Sequence, residues 1–300
     1  MTAIARRAAL GAPAALALAA RPAFAARRPL DLTQPEDSLR ALVKLRGDLA
    51  GARVLQAYTG TLSLLVEGKM PTPVCSYQGL IRTDWTPRPD GAYDYLTFDL
   101  GYFGALDTGR HAERILNPLT GEQVEPTEIR DGPIASIYSK HGTFRAGAPL
   151  DTTKTLALPW QVAGDDIWYT VDLPFSYANP LPPAQFPDVS SGDTVFQRNR
   201  FTYKGRLSEL EDDSLTAAPM ESIMLATSTI HPWLKMGRMP GFQQILTVSA
   251  KIARFEDAPA PIRDFIGDVM PDFVTAAQPF VGAGNSFEKY KRDRLGLKAS

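Results

Sequence analysis

From residue 53 onward the chain is written in short runs rich in Val, Ile, Thr, Tyr and Phe, cut repeatedly by clusters of Pro, Gly and Asp. β-Branched and aromatic side chains favour a pleated, half-buried surface, while the breakers supply the fixed or positive φ angles that tight turns need. This texture predicts strands near residues 53–66, 74–83, 92–104, 110–116, 122–129, 155–162, 166–173, 194–206, 220–230 and 241–255. Pro87-Arg88-Pro89-Asp90-Gly91, Asp107-Thr108-Gly109 and Asn117-Pro118-Leu119-Thr120-Gly121 join neighbours that should be antiparallel. Residues 173–192 carry five prolines and read as an ordered crossover or lid rather than a strand.

Helical spacing appears only at the two ends. Leu39, Leu42, Val43 and Leu45 form an apolar stripe, with Thr33 as the expected cap and Gly47 as the stop. Beyond residue 261, Phe265, Ile266, Val269, Phe273 and Val274 repeat with helical spacing, broken by Pro271, and residues 285–300 read as a short packing helix with a frayed end. The expected fold is therefore mainly β: an antiparallel β-barrel or strongly curved sheet, calycin-like, with short N- and C-terminal helices. No repeat or linker divides residues 26–300, which read as one domain.

Residues 1–25 have a different character. Arg6-Arg7 precede an apolar stretch from Ala8 to Ala20, and Ala23-Phe24-Ala25 offers a small-x-small cleavage site. That order describes a signal peptide, with the paired arginines pointing to twin-arginine export and a Sec-type signal as the alternative. The expected location is periplasmic or secreted. The apolar stretch is shorter than the roughly 20 residues that span a bilayer, so no membrane span is expected. With 32 basic against 33 acidic residues there is no electrostatic case for nucleic acid. Cys75 is the only cysteine, which rules out an internal disulfide and a cysteine-built zinc site. The oligomeric state is left open, a homodimer being compatible with all of this.

Standard catalytic signatures are missing: no Gly-x-Ser-x-Gly elbow, no phosphate-binding glycine loop, no His-Glu-x-x-His. No metal or cofactor is expected, since His111, His141 and His231 are far apart in sequence and lack ligand spacing. Candidate residues come instead from segments that are costly to bury. In residues 93–103, period-two alternation places Tyr93, Tyr95, Thr97 and Asp99 on one face and Asp94, Leu96, Phe98 and Leu100 on the other, with Asp99 and Tyr102 as a candidate base and oxyanion partner. A solvated outer face, with Phe98 and Leu100 in the core, is the simpler account of the first set. On the expected strand 110–116, His111 and Glu113 share a face, and Asn117 opens the following turn. Residues 196–206 mix polar and aromatic side chains, so that Arg198 and Tyr203 are candidates to meet a ligand oxygen, although an exposed edge strand would look the same. Finally, residues 229–242 put His231, Trp233 and Arg238 beside Met236, Met239 and Phe242, which suits an apolar ligand mouth or simple packing.

These segments carry a resemblance. Asp99-Leu100-Gly101-Tyr102 through Asp107-Thr108-Gly109, Asn117-Pro118-Leu119-Thr120-Gly121-Glu122, Tyr177-x-Asn179-Pro180 and His231-Pro232-Trp233-Leu234-Lys235-Met236-Gly237-Arg238-x-Pro240-Gly241 resemble the bacterial domain-of-unknown-function family 1838 over about residues 31–256. The resemblance implies a mainly β fold and twin-arginine leaders in several members, but no activity. This chain departs from the family pattern at Leu116, where an aromatic residue is usual, and at Ile129-Arg130-Asp131-Gly132-Pro133-Ile134.

Three functions are compatible with these residues. The first is binding of a small hydrophobic, oxygen-bearing molecule in a β-barrel cavity with His231, Trp233 and Arg238 near its mouth. The second is a cofactor-free acid–base enzyme, a lyase, isomerase or hydrolase, in the same cavity, with His231 or Asp99 as base and Tyr102 or Arg198 as oxyanion partner. The third is a structural protein of the cell envelope with no pocket.

Overall fold

The computed structural model describes residues 28–282 and 286–297; residues 1–25, read above as a signal peptide, lie outside them. Helix α1 (Pro35–Arg46) leads into a long meander: β1 (Val54–Val66), β2 (Thr72–Pro87), β3 (Tyr93–Gly104), the small pair β4 (Ile115–Leu116) and β5 (Gln123–Val124), then β6 (Ile129–Ser139) and β7 (Gly142–Arg145). The second half follows with β8 (Gln161–Ala163), β9 (Asp166–Ala178), β10 (Thr194–Arg206), the single turn α2 (Leu207–Leu210), β11 (Glu221–Ser228) and β12 (Gly241–Ile252). Helices α3 (Ala260–Val269) and α4 (Ser286–Leu295) close the chain.

Ten strands form one antiparallel sheet in the order β7-β6-β3-β2-β1-β12-β11-β10-β9-β8. Each half is an independent set of hairpins, and the halves are joined where β1 meets β12 over the register Leu55↔Ile252 to Val66↔Gly241. One side chain reports the curvature. The Arg46 guanidinium of α1 lies 5.8 Å from the Tyr138 ring of β6 and 4.6 Å from the Tyr203 ring of β10. Those strands stand six places apart in the sheet order, about 29 Å in a flat sheet. The sheet must therefore curl strongly around α1.

It does not close. The order ends in β7 and β8, which pair with β6 and β9 alone, so the expected barrel is corrected to an open, strongly curved sheet. What bridges the edges is a non-strand segment: the Leu156 N–H donates to the Lys140 carbonyl, and Trp160 packs on Tyr169 while its Nε1–H donates to Ser38 Oγ.

The pleat sorts the side chains. Leu80, Phe98, Leu100 and Tyr102 face outward and are covered by Ile262, Phe265 and Ile266 of α3 and by Phe273. Inside the curl are two separate apolar clusters. One surrounds α1, with Leu39, Leu42 and Leu45 against Trp85, Tyr95, Tyr169 and Tyr203. The other gathers Leu62, Tyr77, Phe103 and Val195 under the turn Pro232–Leu234, the residue 179–190 segment and Phe287 and Tyr290 of α4.

Several local expectations need correction. β9 continues to Ala178 through Pro174, which lies beyond the reach of the three-residue edge strand β8, so that on this flank its missing N–H breaks no ladder bond. Residues 110–114 form an isolated bridge, Gly104↔His111, not a strand. Thr33 does not cap α1; its hydroxyl donates to Asp31 and Gln34 occupies the cap position.

Candidate functional site

Between the two inner clusters the concave face turns polar. Gln56 of β1 donates to Ser249 (2.7 Å) and Ser222 (3.1 Å), and those serine hydroxyls are 2.6 Å apart. On the neighbouring strands Tyr58, Tyr77, Thr97, Asp99 and Asp131 share this face, as their register shows. The belt reaches water. Asp99 is half-buried and Asp131 exposed, although protein surrounds both carboxyl groups on most sides, as on the lining of a trough. Leu173 and Phe175, on the same face of β9, are 48% and 45% exposed.

The centre of the trough is a hydroxyl–carboxyl pair. The Tyr58 hydroxyl donates to Asp99 Oδ1 at 2.9 Å, and its ring stacks on Tyr77 with centroids 5.1 Å apart. Two glycines in strand interiors make room for it. A Cβ at Gly79 would stand 2.3 Å from the Tyr58 hydroxyl oxygen and one at Gly101 only 2.0 Å, so the side chain can cross β2 and β3 only because both positions lack a Cβ. Opposite Asp99 in register is Asp131. Burial, and secondarily the Asp131 charge, push Asp99 up to about 8, against the pull of the Tyr58 hydrogen bond. Asp131 is raised by burial and partly relieved by Lys289 of α4. Tyr58 and Tyr77 are raised well above the usual phenol range, mainly by burial. The arrangement offers protonated groups that can donate to a carbonyl or hydroxyl oxygen, with Asp99 able to change protonation near neutral pH.

Gly101→Ala is expected to drive Tyr58 off Asp99 and to destabilise the protein by about 1–3 kcal/mol, the usual cost of overpacking. The Tyr58 Cζ would be 3.2 Å from the new Cβ, so in a Tyr58→Phe background most of that loss should disappear. Urea denaturation of the single and double variants measures both; equal costs in the two backgrounds would contradict the geometry.

Of the residues singled out from sequence, Asp99 alone lies in this belt. Tyr102 has the opposite parity on β3 and faces outward, fully buried against Phe265 at 4.5 Å with its hydroxyl donating to the Gly109 carbonyl. Tyr58 takes the place beside Asp99 that the sequence reading gave to Tyr102. His231 is buried and contacts Phe103, Trp233 and Phe287. Its Nδ1 accepts the Trp233 Nε1–H at 3.1 Å, and burial lowers its pKa to about 4, so the neutral ring has no free lone pair for a substrate proton. Trp233 is 1% exposed and part of the same packing, whereas Arg238 is an exposed loop residue. Arg198 sits on the outer face in a two-pronged pair with Asp172, at 2.8 and 2.6 Å. Tyr203 is inward-facing but stacked on Tyr169. His111 lies in a separate surface cleft with Glu113, Lys289 and Arg294.

Asn117 ties two of the sequence signatures together in space. Fully buried, it donates through Nδ2 to the Leu234 carbonyl (2.8 Å) and to Met236 Sδ (3.1 Å), while its Oδ1 accepts the Leu119 N–H. The Asn-Pro turn is thus latched to the Pro-Trp-x-x-Met loop. Asn179 does the same for residues 179–192, donating to Gly192 O and Ser190 Oγ. Among the described residues no group of His, Cys, Asp or Glu side chains is arranged to hold a metal ion, and no helix is long and apolar enough to cross a membrane.

Fold and site together define an open, curled antiparallel sheet with an acidic, tyrosine-lined trough on its concave face. The chain belongs to the family of proteins of unknown function DUF1838, whose family model matches residues 51–291. No curated protein matches it. Among solved structures, MucB in complex with MucA(peri) aligns at 9% identity over 73% of this chain and 94% of that one, with a TM-score of 0.15, a level that carries no structural argument.

Proposed function

We propose that the trough binds a small, largely apolar, oxygen-bearing molecule, with the ligand oxygen held at the Asp99–Tyr58 pair. The observation that carries this reading is the pair itself: a hydrogen-bonded carboxyl and phenol on the solvent-reached part of the concave face, seated over Gly79 and Gly101. Structural networks of this cost are ordinarily closed off from water, whereas Asp99 keeps contact with it. Leu173 and Phe175 add apolar surface to the same face. The N-terminal arginine pair and alanine-rich stretch support export of the protein to the periplasm or beyond.

One observation favours a second reading, acid–base catalysis without a cofactor. A carboxyl group held near pH 8 can exchange a proton with substrate at ordinary pH. The same experiment separates the two. A thermal-shift screen of terpenoid, steroid and aromatic alcohols and ketones identifies compounds that stabilise the protein, and mass spectrometry of the recovered compound tests for turnover. Asp99→Asn should weaken binding about tenfold or less in a binder, but lower kcat/KM by about 10²–10⁴-fold in an enzyme whose base is Asp99. Absence of any stabilising compound, together with an Asp99→Asn variant indistinguishable from the parent, would remove both readings.

A further inference from the structure

Four residues along β3 from Asp99 and on the same face, Tyr95 belongs to a collar of rings around Arg46, at the end of α1. The Arg46 guanidinium carbon stands 5.9 Å from the Trp85 ring, 5.7 Å from Tyr95, 5.8 Å from Tyr138 and 4.6 Å from Tyr203. This collar encloses the charge on most sides, yet Arg46 retains partial contact with solvent. It has one side-chain hydrogen bond of ordinary geometry, from Nη1 to the Tyr138 hydroxyl at 3.3 Å, and no carboxylate within 4.0 Å among the described residues.

Other enclosed cations are satisfied differently. Lys44 donates to the carbonyls of Leu210 and Asp212, Arg82 to those of Phe273, Ala276 and Ala277 and to Asp84, and Lys251 to those of Lys44, Gly47 and Ala218. Each spends its protons on the fold. Arg46 does not, and beside it the Tyr169 hydroxyl, in a residue 1% exposed, has no hydrogen-bond partner of good geometry. A partly exposed guanidinium fork with donors to spare, beside a buried hydroxyl whose own proton has no acceptor, is open to an anion.

We propose that Arg46 is an anion subsite that takes the carboxylate of an organic acid lying along the trough. The proposal rests on the reading of the trough as a binding site and names the ligand's second polar end. A carboxylate fits better than a phosphate, because its plane matches the guanidinium fork between aromatic faces and one charge balances one charge; Lys251, whose charge interacts with that of Arg46, has its donors committed. Tyr95 and Asp99 are four residues apart on the same face of β3, about 13 Å at strand rise. The acid group and the oxygen held by Asp99 should therefore be separated by roughly that length.

The test is calorimetric titration of the full chain with 10-hydroxydecanoate and 11-hydroxyundecanoate, each against its methyl ester. The acids are expected to bind at least about tenfold more tightly than the esters. Arg46→Gln should erase that preference while leaving ester binding in place, and Arg46→Lys should keep only part of it, since the charge survives and the fork does not. If Arg46→Gln does not fold, as circular dichroism will show, the wild-type acid-to-ester ratio and Arg46→Lys still decide. Equal binding of acid and ester by the wild-type protein would overturn the anion subsite and leave the trough reading standing; binding of neither pair would overturn the trough reading and this one with it.

Discussion

Trp233→Ala is expected to destabilise the protein by about 3–5 kcal/mol, the range for truncating a fully buried Trp. The ring is 1% exposed and packs on Phe103 with centroids 4.9 Å apart. Its Nε1–H also holds His231, whose Nδ1 would be left buried without a donor. His231 in turn holds the loop to β12, because its backbone N–H donates to Gln243 Oε1 and Gln243 donates to Ser228 Oγ. Removing the indole therefore opens a cavity and loosens a chain of buried hydrogen bonds. A domain of this size loses about 2–4 °C in Tm per kcal/mol, so the expected fall is on the order of 10 °C. Trp233→Phe should cost less, since it keeps most of the packing and forfeits the donor. A stable Trp233→Ala variant that had lost ligand binding would instead restore the ligand-mouth role suggested by the loop's composition.

That reversal shows what could be read from residues and what could not. Alternation along β3 placed Asp99 opposite in parity to Phe98 and Leu100, and the structure keeps that parity, with α3 covering one set and the trough exposing the other. Tyr58 and Tyr77 were invisible as site residues because their significance depends on the pairing of β1 with β2 and β3, which no local pattern encodes. The signal that pointed there was glycine: Gly79 and Gly101 lie inside strands, where the missing side chain weakens the sheet unless something must approach closely. Asp131 was missed for a related reason, since Gly132-Pro133 reads as a breaker, while β6 absorbs it through a register shift opposite Thr97 and Asp99. His231 and Trp233 misled in the other direction. A loop rich in aromatic residues invites a surface reading, but α4, nearly sixty residues later by the sequence numbering, brings Phe287 onto it. Curvature followed from strand length and twist, whereas closure depended on whether β7 and β8 would meet, and those edge strands are too short and too polar in pattern for sequence to decide it.

Above pH 6.5 the contribution of Asp99 to the stability of the protein is expected to fall as pH rises, and to level off above about pH 8. In the folded chain Asp99 stays protonated up to about pH 8, whereas in the unfolded chain it ionises near the ordinary 3.8. Between those values the native state binds the extra proton, so raising the pH favours unfolding; this contribution is fully present below pH 3.8 and is lost as pH passes through 8. Asp131, raised by the same cause, acts in the same direction. His231 opposes them only in acid, because its folded value of about 4 lies below the ordinary 6.5 and the unfolded state binds its proton first. Lys251 opposes them above about pH 7, because burial lowers its folded value to about 7 from the ordinary 10.5 and the unfolded state there binds the extra proton. The Asp99 part is therefore isolated by comparison with Asp99→Asn over pH 6.5 to 8. Water reaches Asp99, which reduces the shift's full value, and the expected change across its titration is on the order of 2–4 kcal/mol. Urea midpoints measured at intervals across this range should show the decline as a difference between the parent protein and Asp99→Asn. That variant keeps an acceptor for the Tyr58 hydroxyl but cannot ionise, while Asp131, His231 and Lys251 are common to both proteins; a difference that stays constant with pH would mean that Asp99 is already ionised at neutral pH and that its place beside Tyr58 does not hold a proton.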